Sequence, residues 1–576
     1  MTQVRPVSRP LRTPEWDEQA DVIVVGSGAS GMVAAYSAAV NGAHVVVLEK
    51  GEWFGGTSVK TDFGIWVPDN EHMRRLGIAD DRAGALEYMA RTSRPAEYSS
   101  SLPFLGLPEW EYRLISTFYD YAHVAFSDLA ERGVLHTLPV PDFPDNHADL
   151  PEATVGEGRF GVAATADGET SNGRTVIADL IAAVTAAGGS VRLRHRVLGV
   201  VESGGRVAGV VVETPEGTVQ LGASRGVVFA SGGFVHNPDL RAAFLPPGVV
   251  PGCGALTNEG DFIPIAQELG AALRNMTATW PAPVVLELAA RRDPTFQSTF
   301  GLAGDSIVCV NRYGRRVMNE KLNHHDAIAP MLAWDGTRCE YPNRLLFPIW
   351  DDRSARLFGG SQIDGGLMPK PDADAPHVVT GDTFEELAAA LADRLHELRD
   401  LTASLRLDDA FAANLEATIE RYNTLAAAGY DEDFHRGETT AERHKHELAV
   451  AQARTGGGFS NTLSQGGGEW RGVTAEAESP AEHWSPPSTL HPFAPTGPYY
   501  ATIIAAGVIE TKGGPMTTPS GQVVGNSGSP IDGLYAVGNC AAAATAEGSW
   551  AAGGTLGPMI TFAWLAGRHV AAGIEP

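Results

Sequence analysis

Apolar residues first cluster strongly between residues 21 and 49. Val22 to Val25 form a run of β-branched residues, which is typical of a strand buried on both faces. An alanine-rich helix from Met32 to Asn41 follows, and His44 to Leu48 has the pattern of a second parallel strand. This order of strand, helix and strand predicts a βαβ unit in a parallel sheet.

Three glycines join the first strand to the helix in the pattern G-x-G-x-x-G. Gly26 permits the tight turn, Gly28 lets the backbone approach a pyrophosphate, and Gly31 lets the helix pack close to the strand. The helix N-terminus offers N–H groups and the positive end of its dipole to phosphate. Glu49 ends the second strand, where its carboxylate can accept hydrogen bonds from both ribose hydroxyls. The segment predicts an adenine-dinucleotide site; a glycine-rich turn that binds no ligand is the alternative.

Two later regions have the pattern of the same sheet. The predicted elements are a helix at 174–187, a strand at 191–193, a hairpin of 197–201 with 206–213, and an apolar strand from Gly226 that ends in Ser-Gly-Gly at 231–233. After residue 490 the pattern returns, with strand-like residues 498–510, a strand at 534–539 and a glycine-opened helix at 554–570.

The segment between these regions has a different residue pattern. Residues 290–485 contain irregular stretches, glycine clusters at 456–458 and 466–468, and a helical pair at 383–399 and 408–428. We interpret it as a second domain inserted into the first. The predicted organisation is a lead-in at 1–20, dinucleotide-binding parts at 21–289 and 486–576, and an inserted α+β substrate or cap domain at 290–485. The predicted class is α/β, with a Rossmann-like parallel sheet.

Composition narrows the possible partners. The chain has 576 residues and a formal charge of −26, so it is a poor candidate for binding nucleic acid or an anionic membrane surface. Four cysteines, at 253, 309, 339 and 540, lie too far apart for a zinc, iron–sulfur or dithiol motif, and no metal site is predicted. Without a signal-peptide core or an apolar run of about 18 residues, the sequence predicts a cytoplasmic protein with no transmembrane segment.

Several strings recur in the same order in the fumarate reductase/succinate dehydrogenase flavoprotein superfamily, which this chain resembles over nearly its whole length. They are residues 22–49, Gly55-Gly56-Thr57, 230–233, Gly260-Asp261, 512–515 and 534–539. Three further strings, at 64–68, 431–437 and 554–558, are most similar to the 3-ketosteroid Δ1-dehydrogenase branch.

The resemblance implies a GR2-type FAD-binding domain with non-covalent FAD. Ser58, Val59 and Lys60 stand where succinate dehydrogenases carry the histidine that attaches FAD covalently. The residues implied to bind FAD are Gly26, Gly28, Ala29, Ser30, Gly31, Glu49, Lys50, Gly55, Gly56, Thr57, Ser58, Val197, Ser231, Gly232, Gly260, Asp261, Gly538, Asn539, Thr555 and Leu556.

His324 occupies the catalytic position by the same resemblance. Four residues after the glutamate that corresponds to Glu320, fumarate reductases have an arginine that delivers a proton, and ketosteroid dehydrogenases have a tyrosine that removes one. An imidazole titrates near neutrality and can serve as general base or acid. The alternative is that 324–326 is only a polar helix start where the domains meet.

The chain departs from both relatives at the substrate. Residues 548–554 lack the arginine and 279–283 lack the His-Pro-Thr string with which fumarate reductases bind two carboxylates. Unpaired carboxylates are costly to desolvate, so fumarate is disfavoured.

The carbonyl site of ketosteroid dehydrogenases is only partly present. The glycine N–H that holds the substrate carbonyl corresponds to Gly553 or Gly554, whereas Ser549 or Trp550 replaces a tyrosine. Another tyrosine is missing at 140–143, which disfavours a true steroid. Tyr500, close to the domain boundary, and Trp550 are further candidates for the pocket.

These observations predict an FAD-dependent dehydrogenase that desaturates the α,β bond beside the carbonyl of a cyclic apolar ketone, steroid-like or smaller. A base takes the α-proton, and the β-hydrogen leaves as hydride to flavin N5. The alternatives are an ene-reductase of the fumarate reductase type acting on a non-dicarboxylate enone, and a flavin carrier without a substrate. No second dinucleotide fingerprint occurs, so the predicted electron acceptor is external, a quinone or another flavoprotein.

Overall fold

The predicted βαβ unit lies at the centre of a twisted sheet. The computed structural model describes residues 15–140, 142–153, 155–455, 489–573 and 575–576. Their strands are β1 (Glu18–Val25), β2 (Val45–Leu48), β3 (Gly64–Trp66), β4 (His136–Pro139), β5 (Phe160–Ala164), β6 (Ser190–Arg192), β7 (Arg196–Ser203), β8 (Arg206–Thr214), β9 (Gly217–Phe229), β10 (Val250–Pro251), β11 (Leu273–Arg274), β12 (Thr279–Pro281), β13 (Val284–Val285), β14 (Ile307–Val310), β15 (Leu345–Asp351), β16 (Val379–Gly381), β17 (Tyr499–Ala501), β18 (Ile504–Ala505), β19 (Gly507–Thr511), β20 (Gly514–Pro515), β21 (Gln522–Val524) and β22 (Pro530–Ala536).

The helices surround this sheet and a second one. They are α1 (Ala29–Val40), α2 (Glu71–Leu76), α3 (Arg82–Ser93), α4 (Glu109–Glu131), α5 (Gly173–Ala186), α6 (Pro238–Phe244), α7 (Phe262–Glu268), α8 (Leu286–Ala290), α9 (Asp352–Phe358), α10 (Phe384–Glu397), α11 (Phe411–Ala428), α12 (Thr440–Thr455) and α13 (Leu556–Ala572).

The main sheet has the strand order β21-β22-β9-β1-β2-β6, and the β7–β8 hairpin joins it through β9. The strands from β22 to β6 pair in parallel, whereas β21 pairs antiparallel with β22. Strands from both ends of the sequence therefore form one sheet, which confirms the predicted α/β class with a Rossmann-like parallel sheet.

Both faces of the central strand are buried, which accounts for its unbroken apolar run. Val22 and Val24 pack in the core that contains α1 and α13. Ile23 and Val25 point to the opposite face and join the core around Phe229. Helices α1 and α13 approach closely, because a Cβ on Gly567 would lie 2.4 Å from the carbonyl oxygen of Ala34.

The inserted domain is built on a second sheet whose strands all pair antiparallel. Its strand order is β13-β18-β15-β17-β16, with β14 also paired to β15. Helices α10 and α11 pack on one face, through the core that contains Leu387 and Leu415. Strands β13 and β17–β18 belong to this sheet, because their backbone hydrogen bonds pair them with it. All three lie outside the predicted bounds of 290 and 485.

Most predicted elements occur within a few residues of their expected bounds, including the helical pair, which corresponds to α10 and α11. The glycine clusters at 456–458 and 466–468 lie outside the described residues.

Candidate active site

The turn after β1 has the geometry that its three glycines predict. Gly26 has φ +107°, and a Cβ there would lie 2.4 Å from the carbonyl oxygen of Ala230. A Cβ on Gly31 would lie 2.0 Å from the carbonyl oxygen of Gly26. At Gly28, by contrast, the nearest atoms would be 3.8 Å and 3.9 Å away, so its Cβ position borders open space. Gly28 also begins α1 without a side-chain cap, which leaves the helix N-terminus available to a phosphate.

A cavity opens at this turn and contains most of the predicted FAD-binding residues. Those that line it are Gly26, Gly28, Ala29, Ser30, Glu49, Lys50, Gly56, Thr57, Ser58, Val197, Ser231, Gly232, Asp261, Gly538 and Asn539. The hydroxyl of Ser231 is buried without a hydrogen-bond partner among the described residues, so a polar donor or acceptor remains for a ligand.

Five predicted FAD-binding residues have other positions. Three of them do not line the cavity but make close packing possible around it: Gly31, Gly55 and Gly260. A Cβ on Gly55, for example, would lie 2.1 Å from the Val59 side chain. Thr555 and Leu556 line a second cavity, described below. Sequence reasoning missed Ser27, His195 and Asn258, which also line the first cavity. Ser27 is a variable position of the glycine motif, and no motif marks the other two.

Glu49 ends β2 and is held rigidly at the cavity wall. One carboxylate oxygen accepts hydrogen bonds from the Ser27 backbone N–H at 3.1 Å and the Ser27 hydroxyl at 2.7 Å. The other oxygen accepts from the N–H of Gly51 at 2.8 Å. Glu49 thereby joins the glycine turn to the end of β2, where the ribose of a dinucleotide is expected.

Replacing Glu49 by alanine should weaken FAD binding by about 10- to 100-fold, because a charged acceptor is lost and Ser27 is left unpaired. The measurement is the flavin-to-protein absorbance ratio after gel filtration. Glu259→Gln is the matched control, since Glu259 is a half-exposed carboxylate that pairs with Lys50 at the rim. Full occupancy in the Glu49 variant would remove its carboxylate from FAD binding.

A second cavity of about 350 Å³ adjoins the first. The two share Thr57, Ser58, Asn539 and Met559 as lining residues. A cofactor that extends from the glycine turn past these residues would present its far end to the second cavity. Its wall is mostly apolar, with Phe143, Trp280, Phe296, Phe300, Ile363, Leu448, Ile509 and Leu556. Its ionisable residues are Lys60, Asp62, Cys253, His324, Lys445 and Glu510.

His324 lines this second cavity, on the loop that follows β14. A buried ionic network fixes the start of the loop, because Glu320 accepts hydrogen bonds from Arg316 at 2.9 Å and from Arg436 at 3.0 Å. Asp431 also binds Arg316 at 2.7 Å. The string at 431–437 therefore holds the loop that carries His324. The His324 ring packs edge-on against Phe300, with ring centroids 5.4 Å apart.

The electrostatic surroundings keep His324 neutral. Burial, followed by the positive charge of Lys445, lowers the pKa of His324 to about 3. The side chains of His325 and Asp326 hydrogen-bond to each other. Asn323 caps the turn that these two residues begin and donates its amide N–H to Asp326. Burial alone would raise the pKa of Asp326, but the hydrogen bond from His325 and nearby positive charge hold it at about 2. His324 is thus both a cavity residue and part of a polar turn.

The carbonyl-binding segment differs from the sequence expectation. Gly554 donates its N–H to the carbonyl of Ala551 at 3.1 Å, so that donor is already used. Gly553 has φ +77° and packs on β3, where a Cβ would lie 2.5 Å from the Ile65 backbone. Neither glycine is among the described residues that line the second cavity. Gly553 is needed for the close packing on β3.

The side chain of Ser549 lines the second cavity, whereas that of Trp550 does not. The Ser549 hydroxyl accepts a hydrogen bond from the Asn146 amide at 3.2 Å, and both side chains line the second cavity. Trp550 is fully buried beside Trp66 and Phe118, and its indole N–H donates to Ser93 at 2.9 Å. Only one of these two neighbouring side chains therefore faces the cavity.

Tyr500 lies in the second sheet, away from both cavities. Its ring stacks on Trp350 with centroids 6.0 Å apart, and its hydroxyl donates to Asp352 at 3.0 Å. The predicted pocket role of Tyr500 therefore has no geometric support. Sequence reasoning missed Lys445 and Glu510, because no motif marks them. Burial raises the pKa of Glu510 to about 7.

Comparison with known proteins agrees with this geometry. Residues 21–556 match the family model described as FAD binding domain. The chain belongs to this family. It is an FAD-dependent oxidoreductase, and the predicted cofactor is confirmed; the glycine turn, Glu49 and the lining residues of the first cavity are the groups that would hold FAD.

Curated relatives match over most of their length. A 4-oxocyclohexanecarboxylate 2-dehydrogenase of Sinomonas cyclohexanicum is 29% identical, over 96% of this chain and 92% of its own. A 3-oxosteroid 1-dehydrogenase of Mycobacterium tuberculosis is 28% identical, over 96% of this chain and 98% of its own. These matches confirm the resemblance to the ketosteroid dehydrogenase branch.

Among solved structures, the 3-ketosteroid Δ1-dehydrogenase of Sterolibacterium denitrificans has the same fold. The TM-score is 0.75 at 24% identity, covering 96% of this chain and 100% of that one. A flavocytochrome c3 fumarate reductase gives a TM-score of 0.60 at 20% identity, with 96% and 78% covered. Separately, no helix among the described residues is both long and apolar enough to cross a membrane.

Proposed function

We propose that this protein desaturates the carbon–carbon bond next to the carbonyl of a cyclic ketone. The observation that carries the proposal is the position of neutral His324 in a mostly apolar cavity that adjoins the FAD cavity. The two curated relatives described above are, by name, dehydrogenases of cyclic ketones. FAD, when bound, supplies the capacity to accept the β-hydrogen as a hydride.

Ser549 and Asn146 are proposed to bind the substrate carbonyl. The Ser549 hydroxyl accepts from Asn146, which leaves its own proton free to donate. A donor aimed at the carbonyl oxygen stabilises the negative charge that develops there when the α-proton leaves. These side chains replace the glycine N–H groups of the sequence-based prediction.

His324 is proposed to take the α-proton. A neutral imidazole has a free lone pair, and the apolar wall of the cavity excludes water that would otherwise compete for it. Loss of the proton from the α-carbon and of the hydride from the β-carbon leaves a double bond conjugated with the carbonyl.

The ene-reductase alternative has weaker support. No arginine is among the described residues that line the second cavity, so the proton donor typical of fumarate reductases lacks an equivalent there. A flavin carrier would not need a second cavity of this kind.

The acceptor of the electrons is proposed to be external, a quinone or another flavoprotein, as the absence of a second dinucleotide fingerprint suggests. A cytoplasmic location remains our proposal from the sequence.

The test is anaerobic mixing of the holoenzyme with paired compounds, cyclohexanones and the corresponding cyclohexenones. The absorbance of oxidised flavin should bleach on addition of a saturated ketone. Reoxidation of the reduced enzyme by enones, without bleaching by ketones, would favour the ene-reductase. No response to either compound would favour the carrier.

The pH profile gives a separate prediction. Because the pKa of His324 is about 3, its basic form is already present above that value, and kcat/KM should not fall through its titration between pH 8 and 5. A histidine of ordinary pKa would lose about 30-fold by pH 5. Initial rates should be measured in parallel with Glu510→Gln, because Glu510 titrates near 7. A fall near pH 6.5 that persists in that variant would contradict a neutral His324.

A further inference from the structure

Lys445 projects from α12 into the second cavity, on the same side of the helix as Leu448. Helix α12 is fixed from two directions. Leu448 packs with Phe143 and Phe160, next to the FAD-binding domain, whereas Val450 packs in the core of the inserted domain. Hydrogen bonds of 2.7 Å from Thr440 to Asp149 hold the start of the helix. The position of Lys445 is therefore determined by packing.

The Lys445 ammonium has neither a hydrogen bond nor an ion pair within 4.0 Å among the residues that the structure describes. Two carboxylates act on it electrostatically, Asp326 and Glu442, but other donors bind them. Asp326 accepts from Asn323 at 2.6 Å and from His325 at 3.2 Å. Glu442 accepts from Asn319 at 3.0 Å and from the N–H of Gly437 at 2.6 Å.

Other buried lysines of the chain are satisfied by the protein. Lys60, also in the second cavity, donates to the carbonyl of Cys253 at 2.6 Å. Lys321 donates to the carbonyl of Leu302 at 2.6 Å. Lys512 donates to the carbonyl of Gly548, and its ammonium lies 3.9 Å from the centre of the Trp280 ring. Lys445 differs from them in that its ammonium faces the cavity and has no such partner in the part of the chain that the structure describes.

The charge on Lys445 persists despite its burial. Burial lowers the pKa of Lys445 to about 8, which keeps most of the group protonated at neutral pH. A desolvated ammonium without a counter-ion is costly, and an anion in the same cavity would remove that cost.

We propose that Lys445 binds a carboxylate carried by the ring of the ketone substrate, so that the preferred substrates are anionic cyclic ketones. This inference rests on the proposed function, because it places the carboxylate and the reacting carbonyl of one molecule in one cavity with His324 and Ser549. A single lysine matches a single negative charge. The fully described part of the wall offers no arginine for a second carboxylate or for a phosphate, which guanidinium groups bind best.

The first experiment compares the oxidation of 4-oxocyclohexane-1-carboxylate with that of its methyl ester. Wild-type holoenzyme should have a KM for the carboxylate that is lower by about 10- to 100-fold, the range for a charged hydrogen bond in a cavity. Lys445→Gln should lose that preference by raising the KM for the carboxylate alone, and Lys445→Arg should keep much of it. Lys60→Gln is the matched control, because it removes another cavity lysine whose ammonium the protein already satisfies.

The second experiment measures binding without turnover, using cyclohexanecarboxylate, which has no ketone. Calorimetric titration of the holoenzyme should give a Kd that rises about 10- to 100-fold in Lys445→Gln and stays unchanged in Lys60→Gln. The visible spectrum of bound FAD and the melting temperature report whether each variant is folded.

The outcomes separate the two proposals. Equal kcat/KM for acid and ester in wild type and in Lys445→Gln would overturn the carboxylate site and leave the ketone dehydrogenase intact. Oxidation of neither ketone, with cyclohexanecarboxylate bound through Lys445, would overturn the proposed reaction and support the anion site. Lack of both oxidation and binding would overturn both.

Discussion

Replacement of His324 by alanine is expected to lower the rate of ketone oxidation by about 10²- to 10⁴-fold, the usual contribution of a positioned general base. FAD should remain bound, because His324 lines the second cavity and not the first. The measurement is the rate of flavin bleaching after anaerobic mixing, together with the flavin-to-protein ratio. The loss should appear in kcat as well as in kcat/KM, since the interaction with the leaving proton develops only in the transition state.

Two control variants sharpen this test. Tyr500→Phe removes a hydroxyl that binds Asp352 outside the cavity, and its turnover should be close to that of wild type. Glu510→Gln examines the carboxyl group in the cavity, whose pKa is about 7. Near-normal turnover in His324→Ala, with a large loss in Glu510→Gln, would transfer the role of base to Glu510.

Alanine at Gly31 and at Gly28 should have different consequences, although both residues belong to the same motif. At Gly31 the new Cβ would lie 2.0 Å from the carbonyl oxygen of Gly26, so the turn between β1 and α1 must move. We expect the free energy of unfolding to fall by about 3 kcal/mol or more, with loss of FAD as a consequence.

At Gly28 the Cβ meets no atom closer than 3.8 Å, and the φ of −65° suits any residue. The apoprotein should therefore keep its stability, whereas FAD affinity should fall by at least about 10-fold, because the methyl group occupies space at the helix N-terminus. Thermal unfolding of apoprotein and FAD titration distinguish the two variants. Tight FAD binding by Gly28→Ala would show that the pyrophosphate does not approach this backbone.

The FAD-binding half was largely predictable because its signals are local. The apolar run at Val22 to Val25, the glycines and Glu49 lie within about thirty residues, and each follows from the geometry of one βαβ unit. The strands near residues 226 and 534 were also predictable, because a strand buried on both faces is apolar throughout.

The second cavity was much less predictable. His324 was found through its distance from a glutamate that now proves to be fixed by two arginines. The choice between Ser549 and Trp550 depends on which of two neighbouring side chains faces the core, and a spacing cannot decide that. Gly554 was assigned as a donor, but its N–H is used within its own turn.

Sequence alone was sufficient for the cofactor and the fold class, and it led to the prediction of His324, since the signals used lie in residues close together in the chain. Only the tertiary structure revealed the wall of the substrate cavity. Ser549, His324 and Lys445 come from segments more than a hundred residues apart, and they meet because the inserted domain packs against the FAD-binding sheet. Long-range packing, with the burial and charge that it imposes, makes His324 neutral. It also leaves Lys445 facing the cavity with no counter-ion within 4.0 Å among the described residues.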